Sequence, residues 1–252
     1  MNVILLHPAE IERDGLVRLT GPRARHIIGV LRGAPQDQLR IGLLEGALGV
    51  GTVRAIAGEA VELRCEFESA IMPPQRVDVL LALPRPKVMR RLWAQLAALG
   101  VGRIILTNAT RVERHYFDTH VLDEACYGPL LIEGLQQARD TQLPKVLIRR
   151  QLKILLEDEL DTLFPEGLRV VTKPGAPMPL RTAVLESAEE RVLLAVGPEG
   201  GWTTFEMDLL AAQGFQMAGV GPRPLRTDTA CIALLAIAHD GLAARSSALR
   251  AF

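Results

Sequence analysis

An α/β chain in two parts is what the sequence predicts: a small β-barrel over residues 1–70, then a parallel sheet with covering helices over 76–252. Three observations predict it. Before residue 70, short apolar runs succeed one another at turn-punctuated intervals with a single short helical stretch. Two adjacent prolines, Pro73 and Pro74, then interrupt the chain. Beyond them, strand-like and helix-like runs alternate, the pattern of a parallel sheet with helices on both faces.

In the first part, residues 3–6, 16–19, 38–44, 46–56 and 60–67 read as strands, with turns at Gly15, Gly33 and Gly58 and a helix over 22–30. Their spacing suggests the barrel. Residues 69–75, SAIMPPQ, form the linker, because consecutive prolines disfavour helix and stiffen the chain. In the second part the strands are 77–83, 103–107, 145–148, 168–172, 191–196 and 215–220. Helices are expected near 87–99, 118–138, 150–160, 180–189, 203–213 and 228–245.

With 252 residues, 48% hydrophobic and 23% charged, the chain can bury a sizeable core. The apolar stretch 230–238 is far short of the ~20 residues of a membrane span. The first fifteen residues turn acidic without a basic segment or a small-residue cleavage site, so a soluble cytoplasmic protein is expected. Cys65, Cys126 and Cys231 are widely spaced and odd in number, which encodes neither a disulfide framework nor a zinc site. No spacing of His7, His115, His120 and His239 reads as metal-binding or catalytic. No metal is expected.

Zero net charge argues against holding nucleic acid by bulk charge, but the distribution is uneven. Residues 18–40 carry a net +4 and residues 76–114 a net +6. Of 29 basic residues, four are lysine. Arginine grips phosphate through two-point geometry, and an arginine bias can equally follow genome composition; both readings stay open.

Parallel sheets bind ligands beyond the carboxyl ends of their strands. Three consecutive expected strands end there in Gly/Pro-rich loops: TKPGAP at 172–177, GPEGG at 197–201 and GPRPLRTD at 221–228. One such loop is an ordinary turn; three on one edge indicate a shared pocket, where glycines let backbone amides approach a ligand. Thr203 and Glu206 form a capping box, Trp202 and Met207 can staple across it, and Gly214 is placed to end the helix, so Glu206 is read as structural. Glu199 precedes the cap, and its carboxylate can accept from a ligand or from neighbouring amides. There is no GxxxxGK[ST] loop, and the first strand of the second part ends in Leu83-Pro-Arg-Pro instead of GxGxxG. An adenosyl ligand with a cationic centre suits these loops better than a pyrophosphate.

"VGPEGGWTTFE" together with "GVGPRPLRTDTACIALLA" resembles the two C-terminal motifs of the ribosomal RNA small-subunit methyltransferase E family, uridine-N3 methyltransferases of the SPOUT class. The resemblance covers essentially the whole chain. "RHIIGVLRGAPQDQLRIG" is similar to the family's PUA-like N-terminal barrel, "LALPRPKVMRRLWAQLAALGVGRIILTNATRV" to its first strand, helix and second strand, and "EGLQQARDTQLPKV" to its Gln-x-x-Arg helix end.

The resemblance implies a trefoil-knotted domain over 76–252, a rare exception to unthreaded topology, and a PUA-like, RNA-binding barrel over 1–70. It implies a homodimer, S-adenosylmethionine as methyl donor, and one uridine of 16S ribosomal RNA in the assembled small subunit as substrate. Carried over, Thr172, Gly197, Glu199, Gly200, Val220, Gly221 and Leu225 are the cofactor contacts, and Arg226 and Asp228 the catalytic pair. A helix-start ion pair is the plain alternative for those two. Arg23, Arg25, His26, Arg32, Arg85, Lys87, Arg90 and Arg91 would track phosphates, and Arg139 could face the site.

The chain departs from the family pattern at Gln95 and Ala98, where many members have Lys and Glu, at Pro224, and at Asp228, whose reach is about 1.5 Å shorter than that of Glu. The segment after Arg111 is also shorter. These departures keep two alternatives open: a ribosome-assembly or RNA-binding protein of the same fold with weak catalysis, and a SPOUT enzyme acting on another RNA.

Overall fold

The computed structural model describes residues 3–249. The outermost residues of the two expected domains, 1, 2 and 250–252, lie outside the described residues. The chain divides into two compact units. One runs to Pro74 and includes Ile132–Leu143; the other comprises Gln75–Leu131 and the chain from Pro144 onward.

In the first unit, β1 (Ile4–Leu6), β2 (Leu16–Leu19), β3 (Gln38–Leu43), β4 (Ala47–Ala57) and β5 (Ala60–Ile71) form one sheet in the order β1-β3-β4-β5-β2. Its β1 and β3 are parallel and the remaining neighbours antiparallel. The expected β-barrel is therefore corrected to an open sheet, since no pairing joins β1 to β2 among the described residues. Closure needs the first and last strands to hydrogen-bond, and these two edge strands are only three and four residues long. Helix α1 (Gly21–Arg25) continues as a π turn over His26–Val30, which buries Ile27 against Leu6, Leu19 and Leu63.

The second unit holds seven strands, all parallel: β6 (Val77–Ala82), β7 (Val101–Thr107), β8 (Lys145–Arg149), β9 (Leu168–Thr172), β10 (Met178–Pro179), β11 (Val192–Val196) and β12 (Gln216–Gly219). Their order is β10-β12-β9-β11-β6-β7-β8. Every residue of β6 and of β11 is buried, as expected of central strands covered on both faces. On one face, Leu80, Ile105, Val171, Leu193 and Ala195 meet a leucine stripe at residues 152, 155, 156 and 160. That stripe belongs to α4 (Leu152–Ile154), a π turn over Leu155–Glu159 and α5 (Leu160–Leu163), where one continuous helix was expected. Alternation along the strands turns Val79, Leu81 and Leu194 to the opposite side. Helix α8 (Thr227–Leu249) packs against β6 and β11 and against α2 (Pro86–Ala98) and α6 (Leu180–Glu186).

Helix α3 (Glu124–Ala138) and α7 (Thr204–Ala212) are the remaining α-helices among the described residues. By length and composition, α8 passes the test for a membrane span over Thr227–Ser246, which the run at 230–238 alone does not suggest. Its Cys231, Leu234, Leu235, Ala238 and Leu242 are nevertheless buried inside the protein. Burial pushes the Cys65 and Cys231 thiols up, to about 11 and about 12. Such thiols are poor nucleophiles.

Candidate functional site

Strands β12, β9 and β11 are neighbours and parallel, so Gly219, Thr172 and Val196 end on the same edge of the sheet. The loops that follow enclose a cavity of about 560 Å³. Thr172, Gly197, Glu199, Gly200, Val220, Gly221 and Leu225 all line it. Geometry thus brings together all seven residues expected to hold a cofactor.

Local chemistry shapes the walls. A Cβ at Gly219 would lie 2.4 Å from the Lys173 carbonyl oxygen, a backbone approach that only glycine permits. Gly221 has φ +121° and open space where a side chain would project. Gly175 N–H donates to Gly221 O at 2.9 Å, tying the first loop to the third. Thr172 Oγ1 donates to Ala195 O at 3.0 Å, so its hydroxyl proton joins β9 to β11. Glu199 is exposed and, among the described residues, accepts a long 3.4 Å bond from the Arg85 amide, which leaves much of the carboxylate available at the cavity.

The capping box forms as expected. Glu206 accepts from Thr203 N at 2.7 Å and from Thr203 Oγ1 at 2.9 Å, and Thr203 Oγ1 accepts from Glu206 N at 3.3 Å. Glu206 also accepts from Thr110 N at 2.6 Å, which joins α7 to the loop after β7. Burial works to raise its pKa, but the bonds from Thr203 and Thr110 outweigh that and leave it lowered. Beside Thr110, Arg111 donates to Gly200 O and lines the cavity. Sequence reasoning did not single out Arg111, although it too follows the carboxyl end of a strand. Trp202, expected only as a staple, also lines the cavity, as do Met217 and Leu234.

Two observations test the fit of an adenosyl ligand. Trp202 Nε1 is buried without a hydrogen-bond partner among the described residues, a donor whose desolvation costs about 1–3 kcal/mol unless something accepts from it. Methionine side chains, Met207 and Met217, and apolar Leu234 share the lining with Glu199. An apolar body, a free donor and one carboxylate match a flat aromatic base attached to a cationic centre.

Arg226 and Asp228 flank the cavity without lining it; Leu225 and Thr227 between and beside them do line it. The Arg226 side chain is 74% exposed and that of Asp228 16%. Arg226 Nε stands 3.8 Å from Asp228 Oδ1. The stronger partner of Asp228 is Arg91, whose Nη2 donates to Oδ2 at 2.8 Å. That bond, with further contributions from Thr229 and Arg226, outweighs burial and holds the Asp228 carboxyl below the usual range.

Residues 72–239 match the family model of the RNA methyltransferase domain. The chain is 39% identical to ribosomal RNA small subunit methyltransferase E of Synechocystis sp. over 229 residues, covering 88% of this chain and 72% of that protein. The chain belongs to the ribosomal RNA small subunit methyltransferase E family. Its similarity to the member from Treponema pallidum is 28% over 256 residues, covering 95% of this chain and 92% of that protein. Among solved structures, the family member from Neisseria gonorrhoeae, bound to S-adenosyl methionine, superposes with a TM-score of 0.74 at 22% identity, over 94% of this chain and 95% of that one. This last similarity concerns the fold.

The residues expected to touch RNA in this methyltransferase E relative differ in how far they are free to do so. Arg25, Arg32 and Arg139 are exposed in the first unit, the last two at left-handed φ values of 53° and 57°. His26 is half-buried there. Arg23 is committed to a two-point pair with Glu10 and to the Leu5 carbonyl. In the second unit, Arg85, Lys87 and Arg90 are exposed at the start of α2, whereas Arg91 is held by Asp228.

Proposed function

We propose that this protein transfers a methyl group from S-adenosylmethionine to N3 of a uridine in 16S ribosomal RNA of the small subunit. The observation that carries the reading is the single cavity built from three loops of adjacent parallel strands, with an unmet Trp202 donor and a free Glu199 carboxylate in its wall. When bound, S-adenosylmethionine supplies a methyl group activated by a sulfonium centre. The backbone of the loops at Gly197, Gly200 and Gly221 would hold it, with Thr172, Glu199, Val220 and Leu225 completing the walls.

Uracil N3 carries a proton at neutral pH, which would pass to solvent water at this exposed rim; as it leaves, negative charge spreads to O2 and O4, and the N3 lone pair would then take the methyl group while the donor departs as its neutral thioether. Arg111, Lys173 and Arg223 line the cavity, and Arg226 stands beside it; we assign the Arg226 guanidinium to meet this charge, an effect on the order of 3 kcal/mol for donors of this kind. Asp228 orients that guanidinium. Much of the remaining acceleration comes from fixing the reacting atoms in line. Arg25, His26, Arg32, Arg85, Lys87, Arg90 and Arg139 would contact RNA phosphates, with Arg23 serving mainly to hold Glu10.

The same reading extends to architecture and setting. The position of β11 between β6 and β9 suits a trefoil knot in the second unit, and the first unit fits a PUA-like module with an open sheet. A homodimer working in the cytoplasm completes the proposal. Calorimetry with S-adenosylmethionine, then transfer to small subunits lacking the modification with mass-spectrometric mapping, tests it. One N3-methyluridine in 16S RNA is expected. Binding without transfer would instead establish an assembly protein of this fold, and a methyl on another RNA would redirect the substrate.

A further inference from the structure

Arg91 lies on α2 with its side chain 46% exposed, and its partner Asp228 is 137 residues further along the chain. Asp228 opens α8 and divides its two oxygens. Oδ2 accepts from Arg91 Nη2 at 2.8 Å, while Oδ1 accepts from Thr229 N at 3.0 Å and faces Arg226 Nε at 3.8 Å. An aspartate has two side-chain torsions, and contacts on both oxygens fix the plane of the carboxylate. That plane sets where Arg226 is drawn. Arg226 itself is 74% exposed, and an arginine carries roughly 2 kcal/mol of rotamer entropy that must be lost before its head can face a developing anion.

We propose that Arg91 is a positioning residue: acting through Asp228, it holds the Arg226 guanidinium in the orientation used at N3, in place of contacting the RNA backbone. The inference rests on the reading of Arg226 given above. It also assigns Asp228. A carboxylate already accepting charge-assisted bonds would lose them on protonation, so Asp228 orients and is not the acceptor of the N3 proton. The sign and placement of Arg91 suit either a phosphate contact or a positioning role, and its bond to a largely shielded carboxylate favours the second.

The two roles separate in kinetics. Full-length protein is assayed on small subunits lacking the modification, comparing wild type, Arg91→Met, Arg91→Lys, Arg226→Ala and the Arg91→Met, Arg226→Ala double variant, with S-adenosylmethionine binding followed by calorimetry. For Arg91→Met, kcat falls by about 10- to 100-fold, as misplacement of a catalytic group does. The KM for the subunit, its salt dependence and cofactor affinity stay within about three-fold of wild type. Arg91→Lys, which keeps the charge, recovers much of kcat. In the Arg226→Ala background, Arg91→Met costs little more, because it acts through the missing guanidinium.

Unchanged kcat with a raised KM and a salt slope smaller by about one would make Arg91 a phosphate contact and overturn the proposal. So would an equal loss with and without Arg226. If Arg91→Met fails to bind cofactor, Arg91→Gln and Arg91→Lys in the same cycle give the decision. Absence of N3 methylation by wild type, or full activity of Arg226→Ala, would instead strike the underlying reading.

Discussion

The two ends of the parallel sheet each carry an arginine–aspartate pair, and they are put to different uses. At the amino ends, Asp78 on β6 is fully buried and accepts from Arg191 Nη2 at 2.6 Å, just before β11. Arg191 also lies 5.6 Å from the centre of the Phe164 ring. Burial raises the Asp78 pKa, against the opposing pull of Arg191 and Arg103. At the carboxyl edge, Arg91 and Asp228 meet in a more open setting, where the Arg91 bond leads and the carboxyl is lowered. Strand starts are where this chain closes its core, and strand ends are where backbone gives way to loops, a cavity and exposed cations. The same two residue types stabilise in one place and are available for chemistry in the other.

Breaking the buried pair should have the largest effect. Arg191→Ala leaves a carboxylate in the core without the guanidinium that hydrogen-bonds to it, and a loss of about 3 kcal/mol is expected in denaturant unfolding. Replacing both partners, Asp78→Val with Arg191→Met, should recover most of it. A loss for Arg191→Ala no greater than that of a surface substitution would mean that the two ends of the sheet do not differ in this way. At the other edge, Arg226→Ala should lower turnover by about 10²–10³-fold with unchanged unfolding and cofactor affinity. Near-normal turnover would remove the electrostatic role.

Between these lie the glycines. Gly219→Ala places a methyl group 2.4 Å from the Lys173 backbone oxygen, which cannot easily move, so cofactor affinity should fall by about ten-fold or more. Gly200→Val fills the cavity wall from the second loop. Its Cβ instead meets Arg111 Cδ at 2.8 Å, the flexible side chain of a residue bonded to Gly200 O. The smaller loss of the two is expected there, measured by the same titration.

What was legible in the sequence was local. Apolar runs such as 192–196 and the capping box at Thr203 and Glu206 report their own conformation, and the three loops could be placed on one edge because parallel strands share a direction. Strand order is not local: nothing in VLLAV says that β11 enters between β6 and β9. Neither did the turns of the first part say whether its sheet would close. The π turn at Leu155–Glu159 keeps the leucine stripe while changing the helix, so periodicity alone missed it. At the site, backbone-rich walls were readable from glycine and proline. Arg91 was not, because an arginine on a basic helix looks like a phosphate contact until its partner, 137 residues away, is seen.

The smallest effect gives the sharpest comparison, because two buried carboxyls should titrate with opposite signs. Glu206 has its folded pKa lowered from an unfolded value near 4.3, so the folded state binds fewer protons in that window. Its contribution is present above the unfolded pKa and disappears as pH falls through the folded one. Asp78 has its folded pKa raised from near 3.9, so the folded state binds more protons and stability declines as pH rises through the window above that value. Unfolding free energies from about pH 3 to 7 should therefore show the deficit of Glu206→Gln shrinking toward acid. The deficit of Asp78→Asn should grow over the same range, because acid relieves the wild-type carboxylate of its burial cost. Deficits that move in the same direction would show that burial and hydrogen bonding are not balanced differently at the two positions.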